Sequence, residues 1–391
     1  QTAALLVGYA SDGELAERVV ADILSKAGAM SLELSRASGD TSRSMQLSDC
    51  GCGRSILRQE ESCGALADVI SARFFAVAIG EALTSRLWAS VRQWHATTDA
   101  AERSVWVLDL VLLPQDDTSF HAESCCTQRC YTYLLPLRAL GTGLSAESLR
   151  PRQDDTLRDG HTDQQFLGPL KALKCTLRSM FGSIAGMRQA GDSGVDRPQE
   201  PSISWWQSFA PAEMAAGLRR RRRAVLCSLR GVKAKGALPL GGEVFLVLSI
   251  SGDHFLTQQC RRLVAMIVCV HRGWLPPDVL RAATRPDAAL DTPAAPGQLL
   301  VLSECAFGEW SRRHGALFDE AAINLGGALE APGPLEHQTA TAAAVPPIGG
   351  NPTTRTWCNE LLRRASGAGG QGAFDSWLRE LEMVEAPRLR A

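Results

Sequence analysis

An arginine and two tyrosines alternate along one short apolar stretch, QRCYTYLLP. Arg129, Tyr131 and Tyr133 are spaced two apart, and the whole chain contains only three tyrosines. In a β-strand, residues two apart point to the same face, so this stretch would place a cation beside two aromatic hydroxyls. Such a face suits a flat anionic ligand, such as a nucleotide. The alternative is a half-buried edge strand whose tyrosines pack and hydrogen-bond locally, and the local residues alone favour that alternative.

Basic residues form a second candidate site in the middle of the chain. Five arginines run from Arg219 to Arg223, and Arg230, Lys233 and Lys235 follow. Five adjacent arginines cannot all pair with carboxylates, so a polyanion is their natural partner. The alternative is a solvated run of charge. Because the formal net charge is −1, we expect any nucleic acid to bind through such local patches and not through a global field.

Two single residues complete the candidate chemistry. Asp40 lies in the small-residue loop SRASGDTSRS, directly after a predicted strand. An aspartate in such a loop either bonds to its own backbone or, when held beside an arginine, acts as a nucleophile or base. Arg261 lies in the first turn of a predicted helix, beside its apolar stripe. There it either extends along the surface or reaches into a cleft to pair with an acid.

Cysteine usage predicts no metal site. The twelve cysteines are scattered along a chain that is 45% apolar, which is typical of buried free thiols in a reducing compartment. Cys50, Cys52 and Cys63 come closest to a metal cluster, but they lack a fourth ligand at zinc spacing. No apolar run reaches the roughly 18 residues that span a bilayer, so we expect no membrane segment.

The elements that would position these residues form two successive α/β units. Hydrophobic patterning predicts strands at 3–9, 31–35, 104–113, 243–250 and 298–307, and helices at 14–28, 65–93, 165–181 and 255–272. The strand at 243–250 is apolar on both faces, which predicts a central position in its sheet. We therefore predict an α+β protein in which two α/β lobes with antiparallel sheets flank a central cleft.

Composition indicates the limits of three regions. We predict an N-terminal catalytic lobe at 1–145 and a C-terminal lobe at 146–310, separated by a polar, charged stretch. Residues 311–391 are rich in Ala, Gly and Pro, with short helical patches at 356–364 and 374–384. This C-terminal extension is expected to wrap around the domain or to dock a protein partner.

Five segments resemble the tRNA pseudouridine synthase A family, which includes related eukaryotic enzymes. FHAESCCTQRCYTYLLP resembles that family's FHAR-S-A-x-x-R-x-Y-x-Y segment without a gap, and DHFLTQQCRRLVAMIV resembles its F-x-x-x-x-x-R-x-x-V-G helix. APGQLLVLSECAF resembles the closing strand, and LRRRRRAV resembles a pair of arginines four apart. LELSRASGD falls on the strand and loop that bear the catalytic R-T-D triplet. The resemblance covers about residues 3–310.

The resemblance implies an enzyme that flips a uridine out of structured RNA (tRNA or rRNA), detaches the base from C1′ and rejoins it through C5. Asp40 would be the nucleophile, Tyr131 would stack on the base and assist proton removal, and Arg261 would pair with Asp40. The resemblance implies no cofactor and no metal. The residues implied to bind the RNA are Arg129, Tyr133, Arg219, Arg223, Arg230, Lys233 and Lys235.

Several residues depart from the family pattern. Ser38 replaces the arginine two residues before the aspartate, Ser42 begins an altered loop, Glu123 reverses the charge of FHAR, and Ala265 replaces a glycine. Two hypotheses therefore stay open. One is an active synthase with an unusual substrate. The other is an inactive or weak homologue that serves as an RNA-binding structural or assembly factor in a ribonucleoprotein, such as a mitochondrial ribosome.

The partner and location of the chain are also predicted at this stage. Under the second hypothesis, 311–391 would dock ribosomal or assembly proteins. The chain begins with Gln1 instead of methionine, so we expect that a leader was removed or trimmed, although nothing visible resembles a targeting peptide. Together with the divergent, extended character of the chain, this favours a mitochondrial location over a nuclear or cytoplasmic one.

Overall fold

The computed structural model describes most of the regular elements of the chain. The described residues are 1–9, 13–36, 64–76, 78, 80–97, 105–113, 120–141, 164–181, 209, 229–240, 243–253, 255–256, 258–285, 293–318 and 368–385. They contain eight strands and eight α-helices, so the protein is mixed α and β, as predicted.

Two compact units interleave along the chain. The described residues of the first unit fall within Gln1–Gly39, Ser62–Arg129 and Val301–Ala365. Those of the second unit fall within Cys130–Leu300 and Ser366–Ala391. The lobe limits at 145 and 310, and the cleft between the lobes, remain predictions.

The first unit is built on mostly antiparallel strands. They are β1 (Thr2–Tyr9), β2 (Ala29–Arg36), β3 (Gly64–Ala76), β4 (Val105–Leu112) and β8 (Leu300–Ala306). The order is β4-β1-β3-β8, and β2 also pairs with β3. Only the β3–β8 pairing is parallel among the registers of this unit. Every residue of β1 is buried, which explains its continuous apolar sequence.

Helices cover the strands of the first unit. They are α1 (Gly13–Lys26), α2 (Gly80–Thr97), α3 (Ala122–Cys125) and α7 (Gly308–His314). The buried stripe of α1 is formed by Val19, Val20, Ile23 and Leu24, spaced as one face of an amphipathic helix. The predictions of a helix at 14–28 and of strands at 3–9 and 104–113 are confirmed.

The predicted helix at 65–93 is wrong in its first half. Residues 64–76 form β3, paired with β1 and β2, and helix α2 begins only at Gly80. Its sequence, GALADVISARFFA, contains apolar residues at both helical and strand spacings, so periodicity alone does not separate the two structures. Pairing on both edges decides in favour of the strand.

The second unit contains three strands. They are β5 (Gln128–Pro136), whose first two residues belong to the first unit, β6 (Leu229–Leu240) and β7 (Glu243–Gly252). Their order is β5-β7-β6, so β7 lies between two neighbours, as its apolar faces predict. Strands β6 and β7 form an antiparallel hairpin in which Leu240 pairs with Glu243.

The helices of the second unit pack beside these strands. They are α4 (Gln164–Phe181), α5 (Gln259–His271) and α6 (Val279–Ala283), with a 3₁₀ turn at Leu137–Leu140. Helix α5 is buried on nearly all sides, and Arg261 and His271 are its only residues with intermediate exposure. Predicted helices at 165–181 and 255–272 are confirmed within a few residues.

The last described helix packs within the second unit. Helix α8 (Ala368–Glu380) continues into a π-helical turn at Leu381–Glu385, and it buries Phe374, Trp377 and Leu381. Arg138 forms ion pairs with Glu243 and with Asp375, the latter at 2.7 Å, and its guanidinium lies 5.9 Å from the centre of the Phe374 ring. The predicted helical patch at 374–384 is therefore confirmed, whereas the patch at 356–364 lies outside the described residues.

None of the described helices is long and apolar enough to cross a bilayer.

We expect Arg138→Ala to loosen α8. The substitution removes a cation shared by Glu243 and Asp375, and Glu243 is the more buried partner. The side chains are partly exposed, so the expected loss is about 1–3 kcal/mol of unfolding free energy. Denaturant unfolding and limited proteolysis within 368–385 would measure it. Arg379→Ala, on the exposed side of α8, is the control; an equal effect of both substitutions would contradict the assignment.

A second prediction concerns pH. Burial, followed by the nearby charge of Arg272, lowers the pKa of His271, whose Nδ1 lies 2.9 Å from Thr176 Oγ1. The unfolded chain then binds the proton more readily, so stability is complete above about pH 6.5 and falls as the pH drops below it. His271→Gln should flatten this dependence between pH 5 and 7 in thermal unfolding, and an unchanged pH dependence in this variant would contradict the assignment.

Candidate active site

Strand β5 holds both tyrosines of the predicted site in a buried environment. All residues of β5 except Gln128 are buried, so it is not the half-buried edge strand that its local sequence favours. Tyr131 is 9% exposed, and its ring meets that of Phe255 edge to face, with centroids 5.3 Å apart. Tyr133 is fully buried and donates its hydroxyl hydrogen to the carbonyl oxygen of Pro296 at 3.2 Å.

Arg261 donates a hydrogen bond to the same loop as Tyr133 does. Its Nε donates to the carbonyl oxygen of Ala295, and the backbone N–H of Ala295 donates to the carbonyl oxygen of Arg261. Pro296, the next residue, accepts the hydrogen bond from Tyr133. Two predicted site residues, from β5 and α5, are therefore joined through two consecutive loop residues of the second unit.

The first turn of α5 carries local backbone strain. Gln258 has a φ of 61°, and it is the only described non-glycine residue with a positive φ. Its side-chain oxygen accepts hydrogen bonds from Nε and Nη2 of Arg262, both at 3.2 Å. Gln259 accepts a bond from the N–H of Leu256 at 2.7 Å. Such strain costs of order 1–3 kcal/mol and clusters at functional sites, and here it lies three residues before Arg261.

Lys233 and Tyr131 point to opposite faces of the strands in the second unit. Lys233 pairs with Ser249 across β6 and β7, so both side chains leave the same face. Ser249 Oγ lies 3.1 Å from Cys130 Sγ on that face. Tyr131 follows Cys130 in β5 and therefore points the other way. The register, which cannot be read from the sequence, separates a predicted phosphate ligand from the predicted base-stacking residue.

Two other basic residues of the predicted RNA surface are exposed on β6. Arg230 and Lys235 lie on the solvent side, and Arg230 forms an ion pair with Asp253 at 2.5 Å. Lys233 is exposed as well. A half-exposed pair of this kind leaves the guanidinium reachable by solvent and ligands.

Arg129 is buried in the first unit instead. It is 3% exposed, and its Nη2 donates to the carbonyl oxygen of Glu123 at 3.2 Å. Glu123, which reverses the charge of the family's FHAR arginine, lies in α3, and His121 caps that helix by accepting from the N–H of Ser124. Arg129 thus supports the backbone of the FHAE segment.

The remaining predicted residues cannot be placed. Asp40, Ser38, Ser42, Arg219 and Arg223 lie outside the described residues. The convergence of Asp40 on Tyr131 and Arg261 therefore stays a prediction. So does the contribution of the arginine run to RNA binding.

A buried polar cluster in the first unit escaped the sequence interpretation. The Tyr9 hydroxyl donates to Asp68 Oδ2 at 2.8 Å, and Arg36 Nε donates to Glu17 Oε1 at 2.7 Å. Burial lowers the pKa of Arg36, but Tyr9, Asp68 and Glu17 together raise it above its ordinary value, so the guanidinium stays charged. Asp68, fully buried within an apolar strand, was the available signal, because a buried carboxylate needs partners.

Comparison with known proteins finds sequence similarity to pseudouridylate synthases. No protein-family model matches the chain. Over 197 residues, half of this chain, it is 26% identical to the pseudouridylate synthase 1 homolog of Mus musculus and 27% identical to that of Homo sapiens. The matched region spans 38% and 37% of those proteins. The chain is a divergent relative of the pseudouridine synthase A family.

Proposed function

We propose that the chain is a pseudouridine synthase-like protein that isomerises uridine to pseudouridine in structured RNA, either tRNA or rRNA. One structural observation supports the proposal in addition to the sequence similarity. The loop residues Ala295 and Pro296 hydrogen-bond to Arg261 and Tyr133, so α5 and β5 present candidate site residues from one supported location. The chain matches less than two fifths of its relatives' length, so the substrate belongs to the proposal.

In the proposed reaction Asp40 acts as the nucleophile. Its carboxylate attacks either C1′ of the ribose or the base itself, and the bond between C1′ and N1 breaks. The base rotates, C5 joins C1′, and the bond to Asp40 breaks, which restores the free carboxylate. The proton on C5 then leaves while N1 gains one. The product is an isomer of the substrate, so these steps balance without an oxidant or a reductant, and we propose no cofactor and no metal.

Tyr131 and Arg261 would assist this chemistry from the second unit. The edge-to-face contact with Phe255 fixes the ring plane of Tyr131, which would stack on the base and help to remove the C5 proton. The bond from Arg261 Nε to Ala295 fixes one edge of the guanidinium. Its positive charge would keep the carboxyl group of Asp40 ionised.

Basic residues would hold the RNA backbone. Arg230, Lys233 and Lys235 are exposed on β6, a strand without acidic residues, and Arg219 and Arg223 precede it in the chain. We propose that these five contact phosphates. Tyr133 is buried, so we assign it to the floor of the nucleotide pocket in the second unit, where it supports the residues that touch the base. Arg129 is buried in the first unit, where we propose that it supports the FHAE segment.

A second candidate function is an RNA-binding structural or assembly factor with little or no catalysis. Glu123 stands where the family pattern has an arginine, and its Oε1 is buried, so this position supplies no cation to an RNA ligand. Tyr131 is only 9% exposed, which limits the access of a flipped base. A protein of this kind would keep the basic surface of β6 and use the extension at 311–391 to dock its partner.

Asp40→Asn separates the two candidates. For a synthase, we expect loss of a specific pseudouridine, because an amide cannot act as the nucleophile, with RNA affinity nearly unchanged.

Tyr131→Phe keeps the packing against Phe255 but removes the phenolic proton acceptor, and should slow the reaction about 10²–10⁴-fold. Sequencing-based pseudouridine mapping in cells that lack the protein and are complemented with each variant measures both.

Wild-type complementation is the positive control for that experiment. If Asp40→Asn restores the same modified sites as the wild type, Asp40 is not the nucleophile. If wild-type and null cells carry identical pseudouridines, the synthase proposal fails and the structural role gains support.

RNA binding gives a further test that both candidates share. Lys233→Glu should weaken binding of structured RNA and reduce the slope of log affinity against log salt by about 1. Lys171→Glu, on the exposed side of α4, changes the net charge equally and should leave the slope unchanged. Arg219→Ala with Arg223→Ala should act like Lys233→Glu. Equal slopes for the lysine variants would remove β6 from the RNA surface.

A further inference from the structure

Two buried cysteines from distant parts of the chain meet in the first unit. Cys126 lies two residues before β5, Cys305 lies in β8, and their side chains are in hydrogen-bonding contact. The Cys126 thiol also donates to the carbonyl oxygen of Gln128 at 3.3 Å. The Cys126 and Cys305 side chains are 3% and 2% exposed, and both are free thiols. The two side chains are separated by nearly half of the sequence, so the spacing of the cysteines gives no sign of this contact.

The backbone beside these thiols is firmly paired. The N–H of Thr127 donates to the carbonyl oxygen of Ala306 at 2.8 Å, and the Thr127 hydroxyl donates to the same oxygen at 3.1 Å. The N–H of Gly308 donates to Thr127 Oγ1 at 3.1 Å. The residues that follow each cysteine are therefore held together, so the backbone fixes the two cysteines beside each other.

Neighbouring charges make the two thiols chemically different. The hydrogen bond with Cys305 lowers the pKa of Cys126, burial opposes this effect, and the positive charge of Arg129 reinforces it. The same hydrogen bond raises the pKa of Cys305, together with burial and the negative charge of Asp68. Cys126 is thus the thiol that more readily forms a thiolate, and Cys305 remains the protonated partner.

We propose that Cys126 and Cys305 are an oxidation site that a peroxide converts into an intramolecular disulfide. The Cys126 thiolate attacks one oxygen of hydrogen peroxide, the O–O bond breaks, and hydroxide leaves a sulfenic acid behind. Cys305 then loses its proton and attacks that sulfur, the S–O bond breaks, and water leaves. Two thiols and one peroxide become one disulfide and two waters.

The disulfide would join β8 covalently to the segment that leads into β5. It would preserve the backbone pairing between Thr127 and Ala306 that already exists. Two neighbouring cysteines have other contacts: the Cys125 sulfur accepts from the backbone N–H of His121, and Cys130 contacts Ser249. These two therefore serve as internal comparisons. The inference does not depend on the proposed function.

The test uses the full chain, reduced and then exposed to graded hydrogen peroxide. Free thiols are alkylated under denaturing conditions, and peptide mass spectrometry locates any linkage. We expect a peptide pair joined through Cys126 and Cys305, with the loss of two hydrogen atoms. Cys305→Ser should abolish that linkage and leave Cys126 open to further oxidation, whereas Cys125→Ser should leave the linkage intact.

The rate gives a second readout that a purely structural contact would not change. Arg129→Gln should slow disulfide formation several-fold near neutral pH, because it removes a positive charge beside the thiolate. Far-ultraviolet circular dichroism checks that each variant is folded. The proposal is overturned if Cys126 and Cys305 are both fully alkylated after peroxide treatment of the folded wild type, or if Cys126 links instead to Cys125 or Cys130.

Discussion

Two consecutive loop residues, Ala295 and Pro296, determine how the candidate site of the second unit is arranged. A loop within a packed region must find partners for its backbone groups, because an unpaired buried carbonyl is costly. Here the partners are Arg261 and Tyr133, two of the residues that the chemistry would need nearby. The backbone bond from Ala295 to Arg261 adds a third connection. The loop therefore couples the placement of strand β5 to that of helix α5.

Because of this coupling, Arg261 has both a structural role and a proposed catalytic role. Arg261 satisfies a backbone carbonyl and would also supply a charge to Asp40, so any replacement disturbs structure and chemistry together. Lysine could keep the charge, but it lacks the planar arrangement of N–H groups that fits the Ala295 carbonyl. The strained Gln258, held through Arg262, adds to the rigidity of the same helix turn. The candidate site is thus built on fixed elements, as the proposed catalytic groups would require.

The sequence predicted the elements that have a clear period and failed where tertiary pairing decides. Helices α1 and α5 and strands β1, β4 and β7 follow from hydrophobic patterning, and the tyrosine strand follows from its alternating residues. Strand β3 was mistaken for helix because its apolar residues fit both periods. Strand β6, LRGVKAKGALPL, was not predicted, because its Gly, Lys and Ala residues have low strand propensity and only pairing with β7 makes it a strand. The carbonyl partners of Arg261 and Tyr133 leave no sequence signal at all.

The polar cluster of the first unit bears on the most serious departure from the family pattern. Ser38 lacks the guanidinium that the pattern places two residues before the aspartate, and Arg36 is the nearest arginine before it in the chain. Arg36 ends β2, however, with its Nε bonded to Glu17 and its charge balanced near Asp68. Withdrawing that guanidinium to serve a nucleotide would leave two carboxylates in a largely buried region without their cation, at a cost of several kcal/mol. Arg36 is therefore a structural ion that fixes the end of β2, and any group that helps to extrude a base must come from another residue.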